Sequence, residues 1–224
     1  MADITTIAEL GTAGGTLVLA IATFASVRSA NRTARVAERS LELSLRPLLV
    51  QSRPDDEPEP VAFGEGRTYQ VGQGMAVVDR GDDGQIYMSI PLRNVGAGMG
   101  IVHGWHIKEG WRREPGEPHP EPDLFRGQRR DLYIPPSDTG FWQGAIREGK
   151  DPYRESVEAA IEGDQDGLTI FLLYGDHEGR QLTISRFGLR PHDDVPDRWF
   201  CSVTRHWNLD GPDPRSRRSR GPTL

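Results

Sequence analysis

A chain of 224 residues with a formal charge of −6 and one cysteine has room for one ordinary domain plus appendages, or two small ones, and its lone Cys201 excludes an internal disulfide framework. The charge is unevenly divided: residues 28–46 hold five Arg against Glu38 and Glu42, residues 211–224 hold four Arg against Asp213, and the stretch 47–210 between them carries the acidic excess. An acidic centre argues against nucleic acid as the main ligand, because phosphate binding needs a positive footprint. Bases beside an apolar helix suit the anionic inner face of a membrane instead.

Residues 1–9 read as a short N-terminus outside the membrane. From Leu10 to Val27 no residue is charged, "LGTAGGTLVLAIATFASV". As a helix these residues rise about 27 Å, close to the roughly 30 Å of bilayer hydrocarbon, so residues 10–27 are expected to be a transmembrane helix. A cleaved signal peptide would want bases ahead of the apolar run, where this chain has Asp3 and Glu9. A buried helix of a soluble domain would want a polar face, and here only Thr and Gly interrupt the run. Gly11 and Gly15 have the G-x-x-x-G spacing that brings two helix backbones close, which points to a homodimer; the alternative is a Gly-rich segment with no partner.

All nearby bases (Arg28, Arg32, Arg35, Arg39 and Arg46) follow the span. By the positive-inside rule the N-terminus is outside and the body lies on the cytoplasmic side of the plasma membrane. The helical pattern continues through residues 28–46, with Val27, Ala30, Ala34, Ala37 and Leu41 at spacings of three and four, until Pro47 ends it. This Arg-rich juxtamembrane helix is expected either to form a short coiled coil or to lie on the surface of the body.

Beyond Pro47 the pattern becomes β. "LLVQSR" reads as a first strand, and "PDDEPEP" (54–60) as a solvated loop. "GMAVVDRGDDGQIYMSIPLRNVG" reads as a hairpin, followed by strands in "GIVHGWHIKEGW", "RRDLYIPP" and "TGFWQGAI". "DPYRESVEAAIEG" (151–163) is the one helical insert, with Asp151 as N-cap and Pro152 at the first position. "LTIFLLYGDHEGRQLTISRF" is a second hairpin and "RWFCSVTRHW" a last strand. Short strands punctuated by Gly and Pro predict a mainly β body over 47–210, an antiparallel sandwich of immunoglobulin-like type. The basic end, 211–224, lacks apolar content and is expected to be a disordered tail. Its arginines suit anionic lipid at about 1 kcal/mol each near the surface, with RNA contact a weaker alternative and a free tail the simplest one.

No catalytic, cofactor or metal site emerges. His103 and His106 lie three apart in a predicted strand, where odd spacing places them on opposite faces, and Cys201 and His206 share that parity problem. Asp176, His177 and Ser185 contain the residue types of a triad without an elbow or oxyanion signature. Trp105, Trp111, Trp142, Trp199 and Trp207 read mainly as packing residues, the alternative being an exposed aromatic binding face. In "LRNVGAGMGIVHGW", Asn94, Gly96, Gly98 and Gly100 suit a tight bend between strands.

With these residues in view, "AIATFASVRSANRTARVAERSL" followed by "LRPLLV", and then "LRNVGAGMGIVHGW", resembles a group of actinobacterial membrane-anchored proteins without assigned activity. Those proteins have one N-terminal transmembrane helix, an Arg-rich helix and a β-rich domain. The resemblance covers residues 17–50 and 90–106, with echoes near Pro136-Ser137 and Tyr174-Gly175. It implies an address and an architecture, and supplies no catalytic residue. The expected function is therefore a binding module tethered at the membrane, with the bilayer and a protein of unknown identity as partners and no cofactor. The alternative is a membrane-anchored hydrolase-like enzyme using Asp176 and His177.

Overall fold

Eight strands of the body follow one another along a hydrogen-bonded path and a ninth pairs beside it, with side chains alternating between the two faces of the sheet. The computed structural model describes residues 4–64, 66–114 and 116–211; the side chains of residues 4–13 and 16 lie outside this description. The chain divides into two units, residues 1–44 and 45–224. The first is one helix, α1 (Ile4–Ser44, 41 residues), about 62 Å long at helical rise. Among the described residues no helix is long and apolar enough to cross a membrane. Described side chains of the expected 10–27 span begin at Gly14, so its first turn, Gly11 included, lies outside them.

In the second unit the strands are β1 (Leu49–Gln51), β2 (Glu59–Ala62), β3 (Thr68–Val71), β4 (Met75–Arg80), β5 (Ile86–Asn94), β6 (Gly100–Glu109), β7 (Arg126–Ile134), β8 (Thr139–Ile146), β9 (Leu168–Gly175), β10 (Leu182–Pro191) and β11 (Arg198–Asn208), with helix α2 (Arg154–Glu162) before β9. The main sheet runs β1-β5-β4-β11-β10-β9-β6-β7, and β8 pairs with the other edge of β5. Every pairing is antiparallel. One edge of β5 serves two strands in turn: β4 opposite Ile86–Ser89 and β1 opposite Leu92–Asn94. The body is thus β-rich and antiparallel as expected. Nine of its strands form one curled sheet and β2–β3 a separate two-stranded one.

The curl follows from where the apolar side chains point. Leu49, Val78, Ile90, Trp105, Ile134, Trp142, Leu172, Phe187 and Trp199, from nine different strands, share one buried cluster, which a flat sheet could not assemble on one face. Val157 and Ala160 of α2 complete it. The free edges of β7 and β8 approach each other, and Gln128 Nε2 donates to the Gln143 carbonyl at 3.1 Å. Two smaller clusters cover the outer face. The hairpin β2–β3 seats Val61, Phe63 and Val71 on Val77 and Tyr87, and Phe171, Ile184 and Trp207 form the other. The sequence reading lacks this hairpin because only Val61 of β2 is buried; a Pro-rich acidic run gives no alternation to read.

Two local departures from regular geometry change what the sequence spacing means. A bulge in β6 between Val102 and Gly104 lets Val102 and Trp105, three apart, both join the core. The extra residue reverses the parity argument for His103 and His106: His106 points outward beside Phe125 and Phe171, and His103 is exposed. At α2 the helix begins two residues later than expected, at Arg154 with Tyr153 as N-cap. Asp151 still organises that end: Oδ1 accepts the Tyr153 N–H at 3.0 Å, and its carboxylate grips Arg126 at 2.8 Å. Gly163, at φ 88°, closes the helix in the left-handed conformation that glycine supplies without strain.

Because Phe187 is fully buried at the centre of the shared cluster, Phe187→Ala should lower stability by about 3–5 kcal/mol in urea unfolding, while Phe200→Ala, at 42 % exposure, should lower it by less than about 1 kcal/mol.

Candidate functional site: a polar clamp at the neck of the body

Segments far apart in sequence converge where the chain passes from α1 into the sheet, over residues 45–50, here called the neck. Asn94, at the end of β5, is fully buried and uses both ends of its carboxamide. Its Nδ2 donates to the carbonyls of Gly98 (2.7 Å) and Ile134 (2.9 Å), while Oδ1 accepts the N–H groups of Leu48 (3.2 Å) and Gly96 (3.0 Å). The Asn94 backbone adds bonds to Asp138 and Ser137, and Val95 N–H donates to Leu48 O at 2.8 Å. One side chain therefore ties the neck, the β5–β6 bend and the β7–β8 turn together. Four bonds saturate a carboxamide, which is the condition for burying one without penalty.

The glycines of the bend are required by space. A Cβ on Gly98 would lie 1.7 Å from the carbonyl oxygen of Leu45, and one on Gly96 would lie 2.3 Å from that of Arg46. The bend backbone lies flush against the neck backbone, and any side chain at either position would push them apart.

A second set of bonds approaches from inside the sheet. Tyr174, fully buried, accepts the Leu49 N–H at 3.2 Å and lies 2.9 Å from Ser185 Oγ, which in turn lies 2.6 Å from His206 Nδ1. Burial, partly offset by the contacts with Ser185 and Leu49, pushes the Tyr174 hydroxyl up to about 12. It is a protonated donor at neutral pH. Tyr174, Ser185 and His206 thus form one hydrogen-bonded chain that starts at the Leu49 N–H. Arg46 of the neck forms an ion pair with Asp210 and donates to Thr183 Oγ1 at 3.4 Å. Burial works against ionisation of Asp210, but the hydrogen bond and charge of Arg46 outweigh it and hold the carboxyl below its ordinary range.

The residues singled out in sequence are distributed as follows. Ser185 does not meet Asp176 and His177. Asp176 spends its carboxylate on the β9–β10 turn, accepting the Arg180 N–H at 2.8 Å, and His177 is exposed near Glu178. Ser185 is paired with His206 instead, but its hydroxyl is fully buried and engaged on both sides, which is the environment of a structural hydroxyl. Cys201 is buried in the core, and that burial pushes its thiol up to about 12. Trp105, Trp142, Trp199 and Trp207 are all at most 5 % exposed, so they are packing residues. Among the described residues no group of three or more His, Cys, Asp or Glu is placed to hold a metal ion. A Cβ at Gly15 would meet nothing within 4 Å; Gly11 and the tail 212–224 lie outside the described residues.

A cavity of about 160 Å³ lies beside Ser52, lined by Asp56, Glu57, Glu59 and the apolar Val71, Pro91 and Phe141. Asp56 is already occupied by the Arg53 N–H at 2.7 Å and by Arg93.

Sequence reasoning singled out Asn94, Gly96 and Gly98 as a bend but missed their partner, the neck some 48 residues earlier. The separate motif stretches "LRPLLV", "LRNVGAGMG", Pro136-Ser137 and Tyr174-Gly175 were the available signal: all four belong to this one place. No protein-family model, curated protein or solved structure matches the chain. What the fold and site define is a curled antiparallel β body whose entering segment, residues 45–50, is held by a buried polar clamp.

Asn94→Ala should lower stability by about 3 kcal/mol or more, since it strands several buried backbone groups, and Gly98→Ala should be at least as damaging; chemical denaturation measures both. The depressed Asp210 carboxyl contributes stability that is present above its unfolded value near about 4 and is lost as pH falls through its folded value. The stability gap between the native chain and Asp210→Asn should therefore close on acidification below about pH 4, read from unfolding curves at stepped pH.

Proposed function

We propose that the chain is a single-pass membrane protein whose β body, carried on the cytoplasmic side, acts as a binding module for a protein partner. The observation that carries this reading is the circumference of α1. Leu17, Val18, Leu19, Ile21, Phe24 and Val27 are all between 53 and 69 % exposed. Successive helical residues turn by about 100°, so Leu17, Val18 and Leu19 alone face three directions, and the others fill the gaps between them. A helix that is apolar all round needs an apolar surround on every side, and a bilayer supplies it. The described part of the run begins at Gly14, and the uncharged sequence back to Leu10 supplies the remaining length.

The side of the membrane follows from charge. Arg28, Arg32, Arg35 and Arg39 come directly after the apolar run and no base precedes it, so the body is assigned to the cytoplasm. The clamp supports a tether that is mechanically part of the body, because the neck is held by Asn94, Tyr174 and Asp210. The hydrolase reading is weaker, since Asp176, His177 and Ser185 are not gathered and the Ser185–His206 pair is sealed in the interior.

Fractionation and labelling test this together. The full chain should stay with the membrane through alkaline carbonate. An Asp193→Cys variant, placed in the exposed β10–β11 turn, should react with a membrane-impermeant thiol reagent only after lysis. Release by carbonate would contradict the tether, and labelling on intact cells would contradict the cytoplasmic side.

A further inference from the structure

The cleft of about 160 Å³ beside Ser52 lies between the β2–β3 hairpin and strands β5 and β8 of the main sheet. Val71, Pro91 and Phe141 give it an apolar wall, and Asp56, Glu57 and Glu59 line the rest. Asp56 is spent on the Arg53 N–H and on Arg93. The side chains of Glu57 and Glu59 have no hydrogen bond or ion pair among the described residues.

Local chain geometry sets these two carboxylates side by side. Glu57 precedes Pro58, which favours extended backbone at that residue, and Glu59 opens β2. Residues two apart in an extended chain share a face, and the next residue on this face, Val61, is buried against the sheet. Glu57 and Glu59 are therefore on the sheet-facing side of the run, over the cleft. The frame around them is held independently. Ser52 N–H donates to the Pro91 carbonyl at 3.0 Å, and Ser52 Oγ accepts the Gly74 N–H at 3.0 Å. A Cβ at Gly72 would lie 2.7 Å from Cα of Pro58, so the β3–β4 turn and the glutamate run are in backbone contact.

Two like charges fixed side by side on an apolar wall repel, and a cation between them relieves that repulsion. A cation on an aliphatic stem also matches the wall, because the stem can lie against Val71 and Pro91 while the head stays with the carboxylates. A guanidinium suits the site better than an ammonium: its fork serves two carboxylates and its flat face stacks on an aromatic ring such as Phe141. An apolar cavity of about 150 Å³ holds one benzene-sized group, so this cleft takes a single side chain. The acidic excess over 47–210 favours the approach of a basic partner. Resting on the binding-module reading above, we propose that the cleft receives one arginine side chain of the protein partner, with Glu57 and Glu59 as its counter-charges and Phe141 as its stacking face.

Fluorescence anisotropy on the full chain in neutral phosphatidylcholine nanodiscs tests this, with the capped peptide Gly-Ser-Arg-Ser-Gly carrying an uncharged fluorophore as the probe. Binding should saturate, and replacing the arginine of the peptide by citrulline, its neutral isostere, should weaken it by about tenfold or more. The double variant Glu57→Gln, Glu59→Gln should weaken it by a similar factor; both residues are exposed, so the fold survives their replacement. Asp193→Asn with Asp194→Asn, in the exposed β10–β11 turn, should change it by less than about twofold. Absence of saturable binding, equal binding of the citrulline peptide, or a double glutamate variant that binds unchanged overturns the proposal. So does an equal loss in the Asp193, Asp194 variant, which would mark a diffuse attraction to an acidic surface. A chain that does not enter the discs fails the tether reading, a separately visible result, and the same titration in nonionic detergent still decides the cleft.

Discussion

One buried carboxamide organises the body. Asn94 has four bonding positions and uses all four, on the neck, on its own bend and on the β7–β8 turn. An asparagine is suited to this because it offers two donors and a two-lone-pair acceptor on one rigid plane. Aspartate would lose both donors and bring a charge into a fully buried position, and leucine would leave backbone groups of three segments unsatisfied. The glycines follow from the same constraint: the bend must touch the neck backbone for the carboxamide to reach it, and the Cβ positions at Gly96 and Gly98 are already filled by the carbonyls of Arg46 and Leu45.

The rest of the body can be read outward from that point. The neck lies where β1 begins, so fixing Leu48 and Leu49 sets the register of β1 on β5 at Leu49↔Asn94. Tyr174 carries the same constraint through to β9, and Ser185 and His206 pass it to β10 and β11. These polar contacts line the interior at one end of the curled sheet, while the rest of that interior is filled by aromatic and branched side chains. The outer face is held separately. Arg186, only 1 % exposed, donates to the carbonyls of Trp111 and Arg112 (3.1 and 2.9 Å) and so straps the β6–β7 connection across the sheet. A buried guanidinium is tolerated there because carbonyl and hydroxyl oxygens receive it; burial nonetheless lowers its proton affinity.

Local patterns in the sequence were good guides to local structure. The β4–β5 and β9–β10 hairpins, strand β8 and the single body helix fall where alternation and turn residues place them, because those signals arise within a dozen residues. What spacing could not convey was anything decided by a distant partner. The bulge at His103 is invisible to period-two counting, and it reversed the face assigned to one histidine relative to the other. Hairpin β2–β3 buries too little to alternate. That β5 serves β4 and β1 in turn along one edge is likewise announced by no stretch of sequence. Of the clamp, the bend was legible through its Asn and Gly residues, but the neck it grips was not. The Ser185–His206 pairing went unread for a related reason: the two residues are 21 apart in sequence and meet across the β10–β11 ladder.

The neck is integral to the core of the body, because Asn94 and Tyr174 bind Leu48 and Leu49 to β5, β9 and the β7–β8 turn. Amide hydrogen exchange on the full chain in lipid discs tests that claim most directly. The amides of Leu48, Leu49 and Gly96 should exchange only through global unfolding, with the slow rates of Phe171 and Phe187 in the core strands. Exchange at the neck through local opening, orders of magnitude faster than in β9 and β10, would show that the neck is a loose linker and the clamp does not hold.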